Sequence, residues 1–102
     1  MKLTVLERLV LQQILPQEGN FVTLKILRSL KTNLGISEKE YKEFEIDQNG
    51  EQVTWNAKGN EEREIEIGEK ATDIIVESLK KLNEEQKLTE QHYSIYEKFL
   101  GE

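Results

Sequence analysis

The sequence has no cysteine, so disulfide bridges, thiolate metal sites and thiol chemistry are all excluded. It has one histidine, His92, so a metal site with two imidazole ligands cannot form within one chain. It also lacks the GxxxxGKS/T, GxGxxG and GxSxG patterns that cradle phosphates or expose a nucleophilic serine, and with them the common nucleotide-binding and hydrolase signatures. Glu, Arg, Gln or Lys interrupts every apolar stretch, so none approaches the roughly 18 to 20 residues of a membrane span. Met1 to Leu15 contains Glu7, Arg8, Gln12 and Gln13, unlike the continuous apolar centre of a secretory signal, and a cytoplasmic location is expected. Excess positive charge is missing too. The net charge of −6 disfavours a general affinity for nucleic acid or anionic lipid.

What is present suits one ordered domain: 102 residues, 36% of them hydrophobic and 33% charged, with too little chain for a second core. The charge is uneven. Residues 1–42 carry seven Lys/Arg and four Asp/Glu, a net +3, whereas residues 43–102 carry seven and sixteen, a net −9. A mildly basic half therefore adjoins a strongly acidic one.

Leu3, Leu6, Val10 and Ile14 recur at helical spacing and predict a largely buried helix over Thr4 to Leu15, with Thr4 as its cap and Pro16 as its stop. Val22, Ile26, Leu30 and Leu34 predict a second amphipathic helix ending near Gly35. Ser37-Glu-Lys-Glu40 has the form of a capping box and starts a short third helix that runs to about Glu43. In FEIDQNGEQVTW, residues 44–55, Asn49-Gly50 favours a two-residue turn that sets Ile46 opposite Val53 and Phe44 opposite Trp55. Alternation over Arg63 to Ile67 predicts a third strand. Ala71, Ile75, Leu79 and Leu82 then mark a helix from about Glu69 to Glu85. Thr89 caps a last helix bearing His92, Ile95, Tyr96 and Phe99. The expected architecture is α+β: N-terminal helices, a three-stranded antiparallel sheet and two C-terminal helices.

The chemistry-bearing constellations are few, and none points to catalysis, a cofactor or a metal. His92 lies on the apolar stripe of its helix, where a packed structural role is the ordinary one. Asp47, Asn49 and Glu51 alternate like calcium ligands, but Gly50 stands fourth from Asp47 rather than sixth, and Lys58 occupies the twelfth position that a bidentate Glu should hold. Lys25, Arg28 and Lys31 share one side of the second helix, opposite its apolar stripe, and could meet phosphates or an acidic partner. An intermediate reading is that they pair with the acidic half, either within the chain or across a dimer. Three helices followed by a hairpin also match the outline of a winged helix. The third helix is too short and half acidic for base reading, and Asp47 and Glu51 would sit beside phosphates. Glu61, Glu62, Glu64, Glu66, Glu69 and Asp73 build an acidic surface, and Glu62, Glu64 and Glu66 are the candidate contacts for a protein partner.

Through TLKILRSL, EIEIGEKATDIIVESLKKL and KLTEQHYSIYEKF the chain resembles small uncharacterised proteins of phage and prophage gene neighbourhoods in bacteria. The resemblance implies a cytoplasmic accessory role and carries over no functional residues. Together these features lead us to expect a non-enzymatic protein that works through a protein partner or self-association. The alternative is a weak nucleic-acid-binding regulator using Lys25, Arg28 and Lys31, a reading the acidity disfavours.

Overall fold

Thr4 starts the first helix as its sequence predicts: the Glu7 N–H donates to Thr4 Oγ1 at 3.2 Å, and the Thr4 N–H donates to Glu7 Oε1 at 2.9 Å. In the computed structural model, which describes residues 1–101, this helix is α1, Val5–Ile14. Helix α2, Phe21–Leu34, is capped by Asn20, whose Oδ1 accepts from the Thr23 N–H at 2.9 Å. Helix α3, Glu38–Glu43, opens on the Ser37–Glu40 capping box. Helices α4, Glu69–Glu84, and α5, Glu90–Leu100, complete the set. The fold is α+β.

Helices α1 and α4 pack on each other, and each also packs on α2 and on α5. Helices α2 and α5 therefore occupy opposite flanks of the α1–α4 pair. Between these four lies the core, in which Leu3, Leu11, Leu34, Ile75, Leu79 and Ile95 are all fully buried. Each such side chain contributes roughly 1.5 to 3 kcal/mol by leaving water.

The sheet differs from the sequence expectation. Instead of one three-stranded sheet there are two separate antiparallel pairs: β1, Lys2–Leu3, with β4, Arg63–Glu64, and β2, Asp47–Asn49, with β3, Gln52–Thr54. The expected third strand pairs with the N-terminus because Ile65 and Leu3 both belong to the core, and the Ile65 N–H donates to the Met1 carbonyl at 2.8 Å. The hairpin register is also shifted. Asn49 faces Gln52, Gln48 faces Val53 and Asp47 faces Thr54, so the turn residues are Gly50-Glu51 rather than Asn49-Gly50. Only Gly50 of these has positive φ, +61°, the pattern of a type II′ turn, which needs it at the first central residue alone. A type I′ turn centred on Asn49-Gly50 would have forced Asn49 into the left-handed region as well.

The base of the hairpin is anchored while its tip stands out. Phe44 is fully buried, the Asn56 N–H donates to the Phe44 carbonyl at 2.8 Å, and Arg63 lies over the Phe44 ring at 4.8 Å. Trp55 closes against Gly59, where any Cβ would collide with the indole, and its Nε1 donates to Asn60 Oδ1 at 3.1 Å. In β2 and β3 only Val53 is partly covered.

Helix α1 departs from its predicted stripe as well. Leu6 is 39% exposed, and its place inside is taken by Glu7 and Arg8, both nearly inaccessible. Arg8 holds three elements together. Its guanidinium donates to Glu40 Oε2 at 2.8 Å and Oε1 at 3.0 Å, to the Leu34 carbonyl at 3.1 Å, and to the Gly35 carbonyl. Those carbonyls close α2, so one buried cation joins α1, the end of α2 and the start of α3.

Lys98 makes a second such tie, from α5 to α1 and the N-terminal strand. Its Nζ donates to the Lys2 carbonyl at 2.8 Å, to Glu7 Oε1 at 2.7 Å, and to Glu62 Oε2, using all three N–H donors. Each capping-box glutamate, Glu7 and Glu40, thus receives a cation from a remote part of the chain. The Arg8 bond holds the Glu40 carboxyl well below its ordinary range, at about 2, against a smaller opposing effect of burial. Burial pushes Glu7 up, but its bonds to Lys98 and the Thr4 amide outweigh that and leave its pKa lowered. The same logic raises Lys98: burial opposes its charge, and Glu62 and Glu7 more than compensate.

Candidate functional site

Helix α2 buries Leu27, Leu30 and Leu34 against the core and partly covers Ile26. Val22, which the sequence places on that stripe, is 59% exposed instead. It lies in the first turn, beyond the point where α2 rests on the body. Phe21 and Leu24 are exposed beside it, at 74% and 43%. Lys25, Arg28 and Lys31 are exposed too, so the predicted basic stripe is brought together with three solvent-facing apolar side chains, Val22, which the sequence placed inside, and Phe21 and Leu24, which it assigned to no face.

Phe21, Leu24, Arg28 and Lys31 follow one another at spacings of three, four and three residues, which aligns them along one side of the helix. With Pro16 and Gln17 of the preceding loop they line a shallow groove of about 420 Å³. The Lys25 ammonium stands 5.9 Å from the centre of the Phe21 ring. None of the three cations is within salt-bridge distance of a carboxylate among the described residues. Within the described residues they therefore do not pair with the acidic half, of which Glu43 meets Arg63 and Glu62 meets Lys98. The signal that could have found Phe21 and Leu24 was the second apolar line on the cation side of α2. The Val22–Ile26–Leu30–Leu34 period runs through the same segment and masks it.

The acidic candidates are scattered in role. Glu62 is bound to Lys98, Glu64 Oε1 meets the N-terminal ammonium at 3.2 Å, and Glu66 lends its backbone carbonyl to Asn33 Nδ2 at 3.2 Å. Of these three carboxylates, that of Glu66 alone has no ion-pair partner among the described residues. Glu43 pairs with Arg63, which lowers the carboxyl pKa and raises that of the guanidinium.

His92 has a structural bond. Its Nδ1 accepts from the Thr89 N–H at 2.9 Å and so caps α5, which leaves Nε2 as the nitrogen that carries the proton in the neutral ring. No group of three or more His, Asp or Glu side chains is placed to hold a metal ion among the described residues, and no helix there is long and apolar enough to cross a membrane. No protein-family model, curated protein or solved structure matches the chain.

Proposed function

We propose that the chain is a non-enzymatic accessory protein of the phage-associated kind its resemblance implies, acting in the cytoplasm by binding another protein through the outer face of α2. One observation carries the reading: Phe21, Val22 and Leu24 stand exposed together beside Lys25, Arg28 and Lys31, with no carboxylate of the described chain pairing those cations. Aromatic and arginine side chains in such a setting are the usual anchors of a protein interface. The flanking cations select an acidic partner and speed its approach. Glu62 and Glu64 contribute less, because both carboxylates already have cations.

The test is a pull-down from the source cell with wild-type, Phe21→Asp and Arg28→Glu chains. Loss of the same specific partner with both variants supports the reading, and unchanged recovery rejects it.

A second reading has its own observation: an exposed aromatic ring beside three cations is also the combination that stacks and neutralises a single nucleic-acid strand. It predicts binding that falls steeply with salt and is weakened by Arg28→Glu. Undetectable binding of single-stranded and duplex oligonucleotides at low salt disposes of it.

A further inference from the structure

On the opposite flank of the molecule, the outer side of α5 carries Glu90, Tyr93 and Glu97 at spacings of three and four residues, all exposed, with Tyr93 at 65%. Lys98, the one cation of that helix, is turned aside onto Glu7 and Glu62, so the outward charge of α5 is entirely negative. Beside Tyr93 lies a partly open cavity of about 210 Å³, lined by Asn83, Leu88, Thr89, His92, Tyr93, Tyr96 and Glu97. A dry cavity of about 150 Å³ is enough to take benzene. The α2 face is the counterpart of this one in charge: the exposed phenyl ring of Phe21 is followed along it by Lys25, Arg28 and Lys31.

We infer that this chain binds a second copy of itself head to tail, with Phe21 of one copy entering the cavity beside Tyr93 of the next, and Lys25, Arg28 and Lys31 meeting Glu90 and Glu97. The inference rests on the reading of α2 as the docking face and names its occupant. The two faces are different surfaces on opposite flanks of the α1–α4 pair, so the contact is heterologous. Each copy then presents one used and one unused face, and growth continues until a ring closes or the chain of copies ends. Nucleic acid fits the same face less well, because Val22 and Leu24 offer no ring on which a base can stack. The net charge of −6 opposes it further.

The test is sedimentation velocity of the full chain over a wide concentration range at low salt, for wild type, Phe21→Asp, Tyr93→Asp, and an equimolar mixture of the two variants. Wild type is expected to rise past the dimer with concentration and to fall back as salt is added. Each variant alone is expected to remain a monomer, since each has lost one half of the contact. The mixture retains one intact pairing, α2 of the Tyr93→Asp chain on α5 of the Phe21→Asp chain, and is expected to stop at the dimer. That rescue also shows that both variants are folded. Wild type that stays monomeric, variants that associate as wild type does, or a mixture that stays monomeric would overturn the inference. A monomeric wild type leaves the α2 reading itself to the pull-down, where it fails only if Phe21→Asp recovers the same partners.

Discussion

The two ends of this molecule use cations in opposite ways. Along α1, α3 and α5, Arg8 and Lys98 are drawn inward, with side chains 2% and 24% exposed, and every N–H of the Lys98 ammonium has an acceptor. Along α2, Lys25, Arg28 and Lys31 stand in water, with no carboxylate within salt-bridge distance among the described residues. A buried charge is tolerated only when it is paired and hydrogen-bonded, so the first group belongs to the fold. The second group has no folding role that would keep it in place, and it borders the exposed side chains of Phe21, Val22 and Leu24.

The sharpest way to break that contrast is to remove the buried cation. Arg8→Ala leaves the Glu40 carboxylate and the carbonyls of Leu34 and Gly35 without their partner, and is expected to lower the unfolding free energy by about 4 kcal/mol in urea titration. Acid is the next largest lever. Glu40 has its folded pKa held at about 2 against an ordinary 4.5, so its contribution is fully present above pH 4.5 and is lost as pH falls toward 2. At 1.36 kcal/mol per pKa unit the loss is about 3 kcal/mol. Glu40→Gln should be less stable than wild type at neutral pH and should show a flatter decline over that window. Smaller again is Lys98→Ala, expected to destabilise by about 2 kcal/mol because Glu7 keeps the Thr4 amide. Trp55→Ala should give a similar or smaller loss, since the indole is only half-buried and braces the hairpin base rather than the core. At the bottom of the scale, Arg28→Ala should change stability by less than about 0.5 kcal/mol, as an exposed side chain without a partner should.

Much of the local structure was legible because its causes are local. The Thr4 cap, the Ser37–Glu40 capping box, the stop at Pro16 and the periods of α4 and α5 each arise from residues within a few positions of one another. The ties that cross the fold were not. Arg8 finds Glu40 across 32 residues and Lys98 finds Glu7 across 91, and nothing in the neighbouring sequence announces either partner. The two-residue strand Lys2–Leu3 is too short to leave an alternating pattern. The hairpin register was lost to a near-tie, since Asn49-Gly50 and Gly50-Glu51 both make two-residue turns. For the site, the three cations were visible as a stripe, but the exposed ring of Phe21 was not. Which apolar residues of α2 face inward depends on where the helix leaves the body, and no helical period encodes that.

The account's central claim is that the outer face of α2 serves binding and contributes nothing to folding. Its most direct test is the unfolding free energy of a Phe21→Ser/Arg28→Glu double variant, measured beside wild type by urea titration at a concentration low enough to keep both monomeric. The account predicts a difference within about 0.5 kcal/mol, as expected of surface positions. A loss of about 2 kcal/mol or more would mean that these side chains hold the fold together, and would contradict it.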